Sequence, residues 1–552
     1  MPQSAADNRR ELTISGLLLG GAITLVFTAA NVYLGLKVGL TFASSIPAAV
    51  ISMAILRGFK NSTIYENNIV QTVASAAGTL SAVIFVLPGL VMIGWWTGFP
   101  FWQSFGVCVV GGVLGVMYSV PLRRALVTNS DLPYPEGVAA AEILKVGSGS
   151  RDTAPTPEAL AENKAGLLAV IIGSLVSGGY FLVTATRVFA ADVAGYFRSG
   201  NAATGLDFGL SLALFGAGHL IGLSVGIAMF VGIFIAWGIA TPLLTALHPV
   251  AGPAIDVATT VFHNQVRFIG AGAIGVAAIW AILKLVQPVW SGILSSLAAS
   301  RKLKQDPAAL VPRTERDIPI LWVTLSSAFV LLPLAVLLFA FLSTGALAAM
   351  AIPLVVGAII YVVLAGFFVA AACGYMAGLI GSSNSPVSGL AILAVIGASL
   401  LFVLLEHNVG IAARQTLVAY ALFVTAVVLC VATISNDNLQ DLKTGQLVDA
   451  TPWRQQVALV VGVFFGALVI PPILNLLNKA YGFASLTTTH ALANVHVLPA
   501  PQATLISALA KGVIQGQLNW NLIGIGALVG AAIVAIDEIL RATTRFRLPP
   551  LP

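Results

Sequence analysis

Apolar runs long enough to cross a bilayer recur from one end of this chain to the other, and they constrain its fold more than any single motif. The first extends 25 residues, Leu12 to Leu36, without an acidic or basic residue, close to the ~20 residues an α-helix needs to span the hydrocarbon layer. Further runs cover 39–57, 66–90, 101–121, 164–187, 208–247 and 268–290, then 318–344, 346–372, 387–405, 411–434, 453–477 and 519–540. Charged residues make up 9% of the chain and its mean hydropathy is +0.96, whereas soluble domains carry about 25% charged residues. The expectation is an all-α polytopic membrane protein, its partner a lipid bilayer.

The 54 Gly and 27 Pro suit close helix crossings and interrupted helices. About 13 to 15 transmembrane helices are expected, some of them broken or re-entrant. Basic clusters order the topology by the positive-inside rule. Arg9 and Arg10 place the tail, residues 1–11, in the cytoplasm; Arg57, Lys60, Arg123, Arg124, Lys145, Arg151 and the loop from Arg301 to Arg316 follow on the same side. That loop, 297–317, divides an N-terminal membrane half (12–296) from a C-terminal half (318–552). Keeping it inside requires one more crossing, by a split of the 208–247 tract at its Gly-rich centre or a re-entrant segment near 249–265. The first span is too long for a cleaved signal and lacks a cleavage site, so insertion in the plasma (inner) membrane is expected.

Several classes are excluded on chemistry. Cys108, Cys373 and Cys430 sit in apolar context without a CxxC spacing, so neither a disulfide framework nor a zinc site is indicated, and no metal centre or cofactor is expected. The net charge of +6 comes from short clusters beside apolar runs, which fits loops at a membrane surface and not nucleic acid. Neither GxxxxGK[ST] nor HExxH occurs, so ATP hydrolysis and metalloprotease chemistry are unsupported, and an enzyme is not expected.

The stretch Thr63 to Gly78 holds Glu66, Asn67, Asn68 and Gln71 at the mouth of an apolar run. On a helix Asn67, Gln71 and Ala74 or Ser75 fall at spacings of three and four beside the row Asn68, Thr72 and Ser75, giving one polar, small-residue face that must look into a cavity or another helix. Glu66 is then a proton-coupling candidate, although Thr63 and Glu66 also have the spacing of a capping box. Asn67, Asn68 and Gln71 are candidate substrate ligands, because amides both donate and accept.

Two other stretches echo one another. Asn31-Val-Tyr-Leu-Gly-Leu-Lys-Val-Gly-Leu-Thr41 leads to Pro47, and Cys373-Gly-Tyr-Met-Ala-Gly-Leu-Ile-Gly-Ser-Ser-Asn-Ser-Pro386 repeats its Tyr, Gly-Leu, Gly, hydroxyl and Pro. By parity one follows an outward span and the other an inward one, as in an inverted repeat, whose Gly and Pro interruptions point to a midplane binding site. Asn31, Tyr33, Ser382, Ser383, Asn384 and Ser385 join the candidate substrate ligands on that ground. Lys37 is placed to pair a substrate carboxylate or, equally, to snorkel at a helix end. The stretch Ser435 to Gln446 partly echoes Glu66 to Gln71. It makes Asp437 a second proton-coupling candidate, and Asn438, Gln440 and Asp441 candidates for a gate or for a cytoplasmic cap and turn. Leu132 to Lys145 reads as a short proline-started helix, in which Glu136 and Glu142 serve a gate or merely the helix dipole and a surface pair with Lys145. His219, beside the Gly-rich break, is a proton or packing histidine. Residues 479–518 read as a re-entrant or half-helix element.

Taken in order, Asn31–Pro47 (NVYLGLKVGLTFASSIP), Glu66–Gly78 (ENNIVQTVASAAG), Leu132–Lys145 (LPYPEGVAAAEILK), Gly378–Gly389 (GLIGSSNSPVSG) and Ser435–Gln456 (SNDNLQDLKTGQLVDATPWRQQ) make the chain resemble the oligopeptide transporter family, which includes the yellow-stripe-like metal-chelate transporters. The resemblance implies secondary, proton-coupled uptake of small peptides, or alternatively of metal complexes with amino-acid chelators. A substrate-gated channel or sensor is the reading from another class. Protons are the implied co-substrate, and a homo-oligomer is compatible with the resemblance. Family members often continue through further C-terminal spans, so incompleteness at the C-terminus is an expectation too.

Overall fold

The computed structural model describes residues 10–543, except 57, 59–61, 149–156, 187, 191, 211, 222, 282, 285–286, 288–289, 291–311, 344, 384, 386, 407–409 and 484–496. Ten helices among the described residues are long and apolar enough to cross a membrane, and the protein is a multi-pass integral membrane protein. Some runs that read as whole spans are interrupted: residues 39–57 yield only the helix Ser45–Leu56. The chain forms two compact units, Met1–Leu167 with Ala281–Leu518, and Leu168–Trp280 with Asn519–Pro552. Each draws on both of the halves expected at 12–296 and 318–552.

In the first unit the helices are α1 (Ile14–Val38), α2 (Ser45–Leu56), α3 (Ile64–Leu80), α4 (Phe101–Arg123), α5 (Pro135–Ser148), α6 (Ile320–Ser343), α7 (Ala351–Ile380), α8 (Val387–Leu405), α9 (Ile411–Leu447), α10 (Pro452–Ala480) and α11 (Pro501–Gln515). The third continues through a 3-10 turn, Ser81–Phe85, into the short helix Pro88–Met92. Helices α1 to α5 and α7 to α11 are two copies of one arrangement. α1 ends at Gly39 with φ +82°, and six residues later α2 begins; α7 ends at Gly381 with φ +95°, and six residues later α8 begins. Both turns use the left-handed region that favours glycine. Next come the polar helices α3 and α9, which cross antiparallel at the centre of the unit: Gln71 meets Asp441 while Thr79 meets Asp437. Equivalent helices running in opposite directions make this an inverted repeat, as the echo of the two Gly-rich stretches suggests.

Packing around the centre repeats the relation. α4 lies on α9 and α10 on α3, each through a GxxxG pair that lets backbones approach. A Cβ at Gly115 would stand 2.6 Å from Val431 O, and one at Gly462 would stand 2.3 Å from Val73 O. The half-helices that close each repeat are exchanged. Tyr134, just before α5, donates its N–H to Gly378 O of the second repeat (2.8 Å), and Ala500, just before α11, donates to Leu36 O of the first (2.9 Å). Tyr134 and Ala500 both take positive φ, 44° and 34°. Each repeat therefore lends a half-helix to the break of the other.

Charged side chains gather at one end of the unit. Arg123, fully buried, reaches Asp317 (3.1 Å), Glu315 (3.4 Å) and Thr314 O (2.9 Å), the pairing a buried guanidinium requires. Glu11 accepts from Thr451 N (3.1 Å) and from Arg313.

The second unit holds the antiparallel hairpin β1 (Asp192–Ser199) and β2 (Ala202–Gly209), with Ser199 opposite Ala202. Gly200, at φ +61°, and Asn201 form its two-residue turn, a recognised hairpin signal that a reading based on apolar runs passes over. The 208–247 tract comprises Leu212–Ile221, Leu223–Ile233 and further helical turns to Leu247; Ala254–Val261 is also helical.

Candidate functional site

The polar residues of α3 and α9 form a buried seam where the two helices cross. Spacing explains it: Gln71, Ser75 and Thr79 recur every fourth residue on one face of α3, and Asp437 and Asp441 are one turn apart on α9. Gln71 Nε2 donates to Asp441 Oδ1 at 2.5 Å, the Ser75 hydroxyl lies 2.5 Å from Asp441 Oδ2, and Thr79 Oγ1 lies 3.3 Å from Asp437 Oδ2. Gln455 of α10 donates to Asp441 O at 2.8 Å. Both aspartates are fully buried. The Ser435–Gln446 stretch, expected as either a gate or a cap and turn, lies within the continuous helix α9, which runs to Leu447.

The two helix breaks flank this seam and touch. Ala43 N–H in the first donates to Ser383 Oγ in the second (3.1 Å). In the first break, Asn31 Oδ1 accepts from Phe42 N (2.8 Å), and Ser44 Oγ donates to Ala74 O (2.6 Å). Around the second, Glu136 of α5 accepts from Ser382 Oγ and from Ser383 N (3.0 Å). Asn436 Nδ2 donates to Ser385 Oγ (2.8 Å) and Ser382 O (3.2 Å). Gln440 ties α9 to both neighbours, donating to Ala377 O (2.5 Å) and accepting from Gly137 N (2.8 Å), and Asn438 donates to Ser119. At the first break Pro501 and Gln502 stand where Glu136 stands at the second. A Cβ on Gly39 would meet Pro501 Cγ at 2.9 Å and Gln502 Cγ at 3.6 Å, and one on Gly381 would meet Glu136 Oε1 at 2.9 Å.

The structure thus brings together Gln71, Ser382, Ser383, Ser385, Asp437, Asn438, Gln440, Asp441 and Glu136 on and around one crossing. Asn68 is fully buried, with both side-chain polar atoms lacking a partner among the described residues. Asn384 lies outside the described residues. Other candidates stand apart. Glu66 is buried at the start of α3, accepting from Thr13 Oγ1 (2.5 Å) and Ser15 Oγ (2.9 Å), with its N–H on Thr63 Oγ1 (3.1 Å). Nine residues separate it from Ser75, about 13 Å along a helix. Asn67 accepts from Ser52 Oγ (2.5 Å) and donates to Thr63 O (3.0 Å). Tyr33 lies against Tyr481, ring centroids 6.3 Å apart, and Lys37 is exposed in the last turn of α1. Glu142 is exposed and pairs with Lys145 at 3.1 Å. His219 is exposed in the second unit.

Residues that sequence reasoning did not single out also shape the site. Thr79 and Asn436 extend rows whose spacing was visible in the sequence. Gln455 and Gln502 arrive from α10 and α11, and nothing local marks them.

Among the described residues no group of three or more His, Cys, Asp and Glu side chains is arranged to hold a metal ion. The seam offers amides, hydroxyls and carboxyls, a set suited to holding polar ligands and to taking up and releasing protons.

Comparisons with known proteins identify relatives of the chain. The family model described as "OPT oligopeptide transporter protein" matches residues 11–552. A Haemophilus influenzae protein named "Putative oligopeptide transporter" is 47% identical, the match covering 94% of this chain and 81% of that protein. The metal-nicotianamine transporters YSL3 and YSL2 of Arabidopsis thaliana are each 23% identical over 86% of this chain, covering 73% and 74% of their own lengths.

Proposed function

The chain belongs to the oligopeptide transporter family, and from that premise we propose that it is a secondary active transporter that moves small oligopeptides across the membrane by alternating access, coupled to protons. The observation that carries this reading is the contact between the two helix breaks, Ala43 N to Ser383 Oγ, beside the acid-amide seam of α3 and α9. Interrupted helices from two inverted repeats, meeting at a polar site, are the architecture through which one repeat can rock against the other around a fixed ligand. In this reading the Ala43–Ser383 bond is a gate contact that opens on one side of the cycle.

Asp437 and Asp441 carry the coupling proton in this proposal. They are ionisable groups inside a membrane helix, bonded to hydroxyls and an amide that adapt to either protonation state. Glu66 has a different task, pinning the start of α3 to the hydroxyls that open α1. Gln71, Ser382, Ser383 and Ser385 contact the polar groups of the ligand once the breaks part.

Metal-chelate uptake is the second reading, and the names of the Arabidopsis relatives favour it. A chelate of an amino-acid-like ligand carries the same kinds of polar group, amines and carboxylates, as a peptide. The test is concentrative uptake by proteoliposomes under an inward proton gradient, with a peptide pool offered against iron and nickel chelates. Peptide accumulation that an uncoupler abolishes is the expected result. Accumulation of chelates alone moves the protein to the second reading, and conductance without accumulation of either rejects secondary transport in favour of a channel.

A further inference from the structure

Hydrogen bonding along the α3–α9 seam is one-sided. Asn68 apart, whose amide has neither its donor nor its acceptor partnered among the described residues, the amide donors are used: Gln71 Nε2 on Asp441, Asn436 Nδ2 on Ser382 O and Ser385 Oγ, Asn438 Nδ2 on Ser119. Their acceptors are not. Gln71 Oε1, Asn436 Oδ1, Asn438 Oδ1 and Asp437 Oδ1 have no partner among the described residues, although none of the four residues is more than 1% exposed. The amide orientations are fixed by what each one faces. Gln71 faces a carboxylate and Asn436 a carbonyl, while the Ser119 hydroxyl already donates to Val116 O at 2.7 Å and so must accept from Asn438.

Charge in the seam is as unbalanced as hydrogen bonding. Asp437 and Asp441 lie one turn apart on α9, and Glu136 sits at the second break on Ser382 and Ser383. Among the described residues no lysine or arginine is paired with Asp437, Asp441 or Glu136. Lys443, two residues beyond Asp441, turns instead to Gln446 Oε1 (3.1 Å) and the face of Tyr134 (6.0 Å), and Lys37 is exposed. A substrate carboxylate placed here would add an acceptor to a surplus of acceptors and a negative charge to a surplus of negative charge.

The complementary group carries several N–H donors, no acceptor and a positive charge. A primary ammonium has that inventory: three donors and no lone pair. We infer that the seam formed by Gln71, Asn436, Asp437 and Asp441 is the subsite for the primary ammonium of the substrate, the amino end of a peptide or, in a chelate, an amino group left protonated and free of the metal. This rests on the transport reading above and adds to it the polarity of the bound ligand. The amino end sits at the α3–α9 crossing, and the carboxylate end lies away from it. It also gives coupling a physical basis. Asp437 and Asp441 as a pair need two positive charges to be neutralised; the substrate ammonium brings one and the coupling proton the other, so the aspartate pair, Glu136 apart, is neutralised only when both are aboard.

The test uses the full chain in lipid nanodiscs and reads thermal stability against methylammonium, tetramethylammonium, sodium and potassium chlorides at equal ionic strength. Tetramethylammonium has the charge of methylammonium without its N–H groups. A saturable rise in Tm with methylammonium, absent with tetramethylammonium and lost in Asp437→Asn, is the expected result. In parallel, a dipeptide and its N-acetyl form are compared in uptake, where acetylation should cost at least tenfold. That arm needs no variant, so a misfolded Asp437→Asn does not decide the matter. Equal shifts with sodium and methylammonium would make this an alkali-cation site and overturn the ammonium assignment. No shift with methylammonium, or equal uptake of the acetylated peptide, would overturn it as well. Stabilisation by methylammonium in a protein that accumulates neither peptide nor chelate would uphold the subsite and reject the transport reading.

Discussion

Gln71 and Asp441 are 370 residues apart in the chain and 2.5 Å apart in the structure. Each lies on the central helix of one inverted repeat, so this hydrogen bond joins the two copies at their crossing. Around it the repeats differ in chemistry. The first contributes hydroxyls, Ser75 and Thr79, and the second carboxyls, Asp437 and Asp441. At the breaks the exchanged half-helices reverse the division, with Gln502 of the second repeat over Gly39 and Glu136 of the first over Gly381. Packing is symmetric and charge is not.

Glu66 and the aspartates should separate experimentally. Glu66→Gln keeps an acceptor for Thr13 and Ser15 and is expected to leave proton-driven accumulation intact. Glu66→Ala removes that acceptor from two donors and should lower stability by about 1–3 kcal/mol. Thermal unfolding in detergent and uptake, read on the same two variants, check both halves.

Gly381→Ala should be destabilising by roughly 1–3 kcal/mol, because a residue with a Cβ is strained at φ +95°. Its Cβ would also stand 2.9 Å from Glu136 Oε1, so uptake should fall further than the loss of folded protein explains. Uptake normalised to folded protein in the membrane measures this.

Gly462→Ile tests the helix crossing. With Val73 O only 2.3 Å from the position of the new Cβ, α10 must move off α3, and overpacking of this kind costs about 1–3 kcal/mol or more. The midpoint of thermal aggregation should drop, and a variant as stable as the wild type would contradict the crossing.

Joining the two breaks covalently should arrest the cycle. Ala43→Cys combined with Ser383→Cys, oxidised in the membrane, is expected to abolish uptake, and a reductant should restore it. Uptake that continues after complete cross-linking would show that these segments do not part during transport.

Much of this architecture was legible in the sequence. Apolar run lengths reveal the helices, and the Gly-rich echo reveals the two breaks, because a left-handed turn and a following proline or serine leave a compositional trace. The polar face of α3 was legible because its residues recur at helical spacing. The polar stretch of α9 was visible, but its place inside the helix was not: after Ile434 the composition turns polar as it would at a helix end, and only the surrounding helices show that Asp437 and Asp441 are buried. Glu66 draws attention because it is the one acid in its stretch, yet its partners Thr13 and Ser15 come from another helix start. The exchange of α5 and α11 between repeats is a tertiary fact with no local signal.

The most direct measurement is substrate accumulation in proteoliposomes under an imposed inward proton gradient, comparing the wild type with Asp441→Asn. The wild type should concentrate substrate until the gradient is dissipated, while Asp441→Asn should exchange substrate across the membrane without concentrating it. If Asp441→Asn accumulates substrate as the wild type does and responds equally to the gradient, the carboxyl pair of α9 does not carry the coupling proton and the proposed role of the seam in coupling is wrong.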